Sequence, residues 1–278
     1  MNKIAPVLFL LSFLVGAPSF GGNPRVEEVE FVSHGAKLAG SAVFPDGQPI
    51  HAAVVFIHGS GEQSRDLKLA ERFAREGIAA LVYDKRGVGK SGGKYEGDQN
   101  VSEKNIALLA DDANAALQKL SSYPSLKGIP VGLAGISQAG WIAPVAAEKS
   151  SLAKFLLLWS GPVGKVSEED IYSKFTADRD SPVAPTFDEA LRSRTQKYIW
   201  PDFLGKDTDS SENLKKLSIP GLWIFSDNDG SIPVALSIER LQQLRQEGHA
   251  FDYVLFSGLG HNNMGHTFAT AIDWLKRL

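Results

Sequence analysis

The 278-residue chain contains no cysteine. Disulfides, thiolate metal sites, cysteine nucleophiles and lipid-modified cysteines are therefore excluded. Nor is there an excess of positive charge: 29 Lys and Arg stand against 32 Asp and Glu, for a net charge of −3. Nucleic-acid and anionic-membrane partners need a basic patch or stripe, which this balance does not announce, so neither is expected. No repeat, low-complexity tract or inter-domain linker interrupts the chain. Only one apolar run approaches spanning dimensions, Ile4 to Val15, and it is shorter than the roughly 18 residues a membrane helix requires.

That run follows Lys3 and precedes Gly16-Ala17-Pro18-Ser19 and Gly21-Gly22-Asn23-Pro24. A positive start, a short apolar stretch and small residues form a secretory leader, read here as residues 1–21. The expectation is an exported bacterial protein, periplasmic or secreted, with no stable membrane insertion after cleavage. The remainder, 22–278, is 43% apolar and 22% charged over the whole chain, which suits one soluble domain with a large core.

Val26–Val32 and Leu38–Phe44 flank Ser33-His34-Gly35 and read as a β-hairpin. Ala53–Ile57, Ala79–Tyr83, Val131–Gly135, Phe155–Trp159, Leu222–Phe225 and Phe251–Phe256 are short apolar runs suited to strands buried on both faces. Between them, Leu67–Glu76, Glu103–Leu120, Gln138–Glu148, Val234–Glu247 and Thr267–Leu278 read as helices. Alternating strands and helices imply parallel βαβ units and an α/β sheet covered on both faces. Alternation stops at about 161–218, where charge is high. That segment reads as an insertion over the C-terminal edge of the sheet, where open α/β sheets bind ligands.

Gly135-Ile136-Ser137-Gln138-Ala139-Gly140 follows a buried strand and opens a helix. A sharp strand-to-helix turn of small residues holds a serine Oγ at the strand end, facing the cleft. The last position of the G-x-S-x-G pattern is Ala139, with Gly140 directly after it. A serine hydroxyl needs an oriented base beside it. His261, in the loop after the last strand, is the leading candidate, with His266 as its competitor. The base needs a carboxylate that fixes its tautomer. Asp229 leads on its spacing to Pro233, with Asp227 as the alternative. Backbone N–H groups of Gln138 and of Ser60, in His58-Gly59-Ser60-Gly61, are the candidate oxyanion donors. His58 itself reads as structural. Asp84-Lys85-Arg86-Gly87-Val88-Gly89-Lys90-Ser91 lacks phosphate-loop spacing and reads as a structural turn with Asp84 and Arg86 as a candidate pair. Glu168, Glu169 and Asp170 read as a solvated face. No metal-ligand cluster or cofactor motif stands out.

These residues, in this order, resemble the α/β-hydrolase superfamily, and within it the exported esterase-like and serine-aminopeptidase-like members. The resemblance rests on His58-Gly59-Ser60-Gly61, Asp84-x-Arg86-Gly87-x-Gly89-x-Ser91, Gly135-x-Ser137-x-Ala139-Gly140, the Asp229–Pro233 loop and Gly260-His261. It implies a mostly parallel eight-stranded sheet with helices on both faces and a helical cap at 161–218. It also implies a Ser137–His261–Asp229 triad acting on a small ester or acyl substrate. Carboxylic ester hydrolysis is the leading expectation. An aminopeptidase or amidase, with cap acids binding a free amine, and an acyl thioesterase would use the same machinery. A non-catalytic binding protein on this fold is the reading from another class.

Overall fold

Eight strands, most of them short apolar runs, lie side by side in one sheet. The structure is a computed structural model that describes residues 22–97 and 100–278; the leader expected at 1–21 lies outside the described residues. The strands are β1 (Arg25–Ser33), β2 (Ala36–Phe44), β3 (Ala52–Ile57), β4 (Ile78–Tyr83), β5 (Val131–Ile136), β6 (Leu156–Trp159), β7 (Gly221–Ser226) and β8 (Phe251–Phe256). Their order is β1-β2-β4-β3-β5-β6-β7-β8. The hairpin β1–β2 joins β4 antiparallel, and every pairing from β4 to β8 is parallel.

The burial pattern follows from position. Every residue of β3 and β4 is buried, as expected where helices cover both faces. Edge strand β1 instead buries Val29 and Phe31 while exposing Val26 and Val32. One face packs on α1 (Leu67–Arg75) and α8 (Met264–Leu275), with Leu69, Phe73, Phe268 and Ile272 in its core. The other packs on α2 (Glu103–Ser121), α3 (Ala139–Lys149) and α7 (Val234–Gln246), through Ile106, Leu117, Trp141, Leu241 and Leu244. Asp66 and Ser102 start α1 and α2 by accepting from the N–H groups of Leu69 and Asn105, side-chain caps that satisfy orphan donors of a first helical turn.

Residues between β6 and β7 form α4 (Val166–Thr176), α5 (Phe187–Arg192), α6 (Ser210–Leu214) and long connecting loops. Ile171, Tyr172 and Ala190 give this segment a small core of its own. Trp141 Nε1 donates to the Gly164 carbonyl at 2.9 Å, and Arg240 grips Glu168 with both terminal nitrogens at 2.5 and 2.6 Å. These bonds fasten the segment to α3 and α7.

The turn at 84–91 is structural, but its expected internal pair does not form. Asp84 accepts from Arg65 Nε at 3.2 Å and Nη2 at 3.1 Å, and from the Arg65 and Lys90 backbone. Arg86 instead pairs with Asp112 on α2 and donates to the Ser33 carbonyl at 3.0 Å. Turn residues two positions apart find different partners here, Arg65 and Asp112 lying 19 and 26 positions away in sequence. Gly89 has φ +56°, and a Cβ there would stand 2.7 Å from the Asp84 carboxyl carbon, so the glycine makes room for the pair that does form.

Arg86 and Asp112 are 6% and 0% exposed. Removing one partner strands a buried charge and typically costs about 3–5 kcal/mol, whereas replacing both by apolar groups is far less harmful. Arg86→Met is therefore expected to lose about 3–5 kcal/mol in urea unfolding, and Arg86→Met with Asp112→Leu to recover most of it. Equal losses in the two variants would contradict this account of the pair.

Candidate active site

Ser137 sits at the turn between β5 and α3 with φ +56°. Such a left-handed conformation costs a non-glycine residue about 1–2 kcal/mol, so the surroundings must hold it. The Ser137 N–H donates to the Trp159 carbonyl at 3.0 Å, and its carbonyl accepts from the Gly140 N–H at 2.8 Å. The neighbours have no room for side chains. A Cβ at Gly135 would collide with the Ala139 methyl, and one at Gly140 would stand 2.6 Å from Pro162 Cδ. The departure at Ala139 is thus accommodated: its methyl, fully buried, fills the space beside Gly135. The position that must be glycine on the helix side is Gly140, where the chain packs on Gly161 and Pro162.

The backbone N–H groups of Gln138 and Ser60 have no hydrogen-bond partner among the described residues. Gly59 lies against Ser137, a Cβ there falling 3.5 Å from the Ser137 Cβ. What ties these two segments together is Lys85, which the sequence reading left without a role. Its Nζ donates to the Gly59 carbonyl at 2.9 Å, the Gly61 carbonyl at 3.2 Å and Gln138 Oε1 at 2.9 Å. One ammonium thus cross-links the loop after β3 to the serine turn. Its burial lowers its pKa to about 8. Beside it, His58 is buried edge-on to Tyr83, with ring centroids 5.0 Å apart. Burial, helped by the Lys85 charge, pushes His58 down to about 4, consistent with a structural rather than a proton-transferring role.

Asp229 follows β7 and is fully buried. Its Oδ1 accepts from the N–H groups of Ser231 at 2.9 Å and Ile232 at 3.1 Å. Both its oxygens lie within reach of His261 Nδ1, at 2.9 and 2.8 Å. Asp227 meets no histidine; it accepts from the Gly258 N–H at 2.8 Å and staples the two loops. His266 is exposed on the first turn of α8. Burial acts to lower the pKa of His261, but the bond to Asp229 and the charges of Asp229, Asp180 and Glu169 outweigh it and raise it. Ser137 and His261 open into one cavity of about 390 Å³, shared with Gly59 and Ser60. Its apolar wall is Phe56, Leu69, Val82, Ile136 and Met264, and among the described residues none of its lining comes from 161–218.

Three further groups escaped the sequence reading. Ser160, at the end of β6, has φ +45° and donates from Oγ to the His261 carbonyl at 2.8 Å. Asn263 donates to that same Oγ at 3.0 Å. Asp180, outside any helix, accepts from the N–H groups of Gly230 and His261, each at 3.1 Å. The acidic run at 168–170 is a corrected expectation. Glu168 holds Arg240, and Asp170 binds Lys174 and the Tyr198 hydroxyl. Glu169 makes no hydrogen bond or ion pair among the described residues. It is only partly exposed. Burial, with the charges of Asp170, Asp178 and Asp229, pushes its carboxyl up to about 8.

The buried His58 and the half-buried His261 are therefore expected to separate on titration. The anionic setting stabilises the His261 imidazolium, so it keeps its proton above the ordinary histidine value of 6.5, while His58 stays neutral down to about pH 4. NMR titration of the ring protons checks this, and the opposite order would contradict the electrostatics described.

Comparison with known proteins agrees with the fold. An esterase of Pyrococcus furiosus superposes with a TM-score of 0.64 at 19% identity, over 91% of this chain and 93% of that one. A dienelactone hydrolase of Anabaena variabilis gives 0.62 at 20% identity, over 92% and 99%. An acylaminoacyl peptidase of Pyrococcus horikoshii gives 0.63 at 17% identity, over 87% of this chain and 38% of that one. In sequence, a polyketide transferase of Penicillium crustosum is 33% identical over 140 residues, 47% of this chain and 41% of the relative. The chain thus spans about two fifths of that curated relative's length. The model of the serine aminopeptidase S33 family matches residues 48–199, which include the serine turn and end before Asp229 and His261. On that match, and with the eight-stranded sheet around it, the chain belongs to the serine aminopeptidase S33 family of α/β-hydrolases.

Proposed function

We propose that this hydrolase cleaves carboxylic esters through a Ser137–His261–Asp229 triad and an acyl-enzyme. The observation that carries the reading is the His261–Asp229 bond, made by a fully buried carboxylate, in the cavity that also holds the left-handed Ser137. Ser137 Oγ attacks the acyl carbonyl carbon while His261 Nε2 takes its proton. The oxyanion that forms accepts the free N–H groups of Gln138 and Ser60, donors fixed in place before reaction. Asp229 stabilises the imidazolium, which then protonates the departing alcohol. Water, deprotonated by the same imidazole, releases the acid and restores Ser137. The apolar wall beside Ser137 would take the acyl chain, and at about 390 Å³ the cavity suits a short or medium one.

A second reading is an aminopeptidase, and Glu169 is the observation that favours it. Alone among the three cap acids it makes no hydrogen bond or ion pair among the described residues, and when ionised its charge is felt at His261, although it does not line the cavity beside Ser137. A substrate ammonium would lower its pKa and pair with it.

A panel of short and long p-nitrophenyl esters, aminoacyl arylamides and acyl thioesters tests both readings. The expected result is turnover of short esters over long ones, lost by about 10⁴-fold or more in Ser137→Ala and His261→Ala and little changed in Glu169→Gln. Turnover confined to arylamides and abolished in Glu169→Gln would replace the esterase reading by the peptidase one. No turnover of any class would sink both.

A further inference from the structure

We propose that Asp180 is a positioning residue that holds the acid-bearing and base-bearing loops in register from the cap. The inference rests on the triad reading above and adds to it a residue outside the triad. Asp180 Oδ1 is bifurcated between two loops: it accepts the Gly230 N–H, next to Asp229, and the His261 N–H itself. Neither N–H has another partner among the described residues. Loss of Asp180 would leave both donors to water and remove the cap's tie across two loops that the Asp227–Gly258, Asn228–Leu259 and Asp229–His261 bonds still join.

The chain goes to some length to bring this carboxylate here. After α4, Ala177 and Asp178 both adopt φ +55°, a pair of left-handed non-glycine residues that the surroundings must hold. Thr176 Oγ1 bonds the Gly230 carbonyl, and the Ser181 N–H donates to the Asn228 carbonyl at 2.9 Å. Residues 176–181 are thereby laid along the Asp229 loop. Two glycines record the fit. Neither Gly230 nor Gly260 has the left-handed φ that would demand glycine. Yet a Cβ on Gly230 would collide with the Arg179 carbonyl, and one on Gly260 with the Asp180 carboxylate. They are glycines because this segment lies on them.

His261 is consequently gripped at both backbone ends. Ser160, on the sheet, holds its carbonyl, and Asp180, on the cap, holds its N–H. The sheet-side grip comes from the residue that ends β6, whereas the cap-side grip requires residues 176–181 to lie along the Asp229 loop. A shift of about 1 Å in a reacting group can cost roughly 10²-fold in rate. Removal of Asp180 should therefore act on kcat more than on KM.

The experiment compares steady-state kinetics on a short p-nitrophenyl ester from pH 5 to 9 for wild type, Asp180→Ala, Asp180→Asn, Asp178→Asn, Gly260→Ala and the Asp180→Ala/Gly260→Ala pair. Circular dichroism verifies the fold of each. The titratable groups facing His261 are Asp229 from the β7–α7 loop, Asp180, and Glu169 from α4, which is itself protonated below about pH 8. Asp180→Ala should lower kcat by about 10- to 100-fold with KM within about threefold. Asp180→Asn keeps an acceptor oxygen, so it should retain most of kcat. Having lost a negative charge, it should move the acid limb of kcat/KM to lower pH. Asp178→Asn should move the limb less. Gly260→Ala, which displaces the carboxylate, should match Asp180→Ala, and the double variant should be no worse than either, because both break one contact.

Kinetics of Asp180→Ala within twofold of wild type would overturn the proposal. So would a limb shift as large in Asp178→Asn as in Asp180→Asn, or multiplying losses in the double variant. If Asp180→Ala fails to fold, Asp180→Asn and its limb decide. Failure of the triad reading is distinguishable, because Ser137→Ala or His261→Ala would then keep wild-type turnover whatever Asp180 does.

Discussion

A carboxylate with no solvent exposure must have its charge met by donors, and Asp229 is such a group. Burying an unpaired carboxylate would cost several kcal/mol or force a proton onto it. Two backbone N–H groups and the His261 ring meet that need. The same three bonds fix where the β7–α7 loop ends and which way the imidazole faces. The rest of the site is arranged around this pair. Ser160 and Asp180 set the height of His261, and Lys85 draws the loop after β3 toward the serine turn. Ser137 stands at the strand end in a conformation that the sheet compels.

Much of the sheet was legible in the amino-acid sequence because its strands are short, continuous and apolar. Val131–Gly135 or Phe155–Trp159 can hardly be anything but buried strands beside amphipathic helices. The serine turn was legible because small residues flank a serine just where a buried strand meets a helix, and only small residues leave room for so sharp a turn. The pairing of His261 with Asp229 rather than Asp227 followed from loop spacing, and the geometry agrees.

What stayed hidden has a common cause. Lys85, Ser160 and Asp180 act on groups far away in sequence, through single bonds that carry no periodicity. Lys85 reaches Gln138 across 53 positions, Ser160 reaches His261 across 101, and Asp180 reaches it across 81. The Asp84–Arg86 pair failed as an expectation because nearness in sequence says little about where two side chains point. The acidic run failed as a solvated face because tertiary packing half-buries all three acids and gives Glu168 and Asp170 partners. The cap itself was marked by the loss of alternation, but its link to the catalytic loops was not. Its Asp180 bonds the loops that carry Asp229 and His261, while the cavity beside Ser137 is walled by the sheet, α1 and α8.

The account depends first on Ser137 being the group that the His261–Asp229 pair activates. Reaction with a fluorophosphonate followed by peptide mass spectrometry reads this directly, because the reagent attaches to a serine whose hydroxyl is deprotonated as it attacks. The account predicts one adduct, on Ser137, that forms readily in the wild-type protein and is lost in His261→Ala. An adduct on Ser60 or Ser160, or labelling of Ser137 that is indifferent to His261, would contradict it.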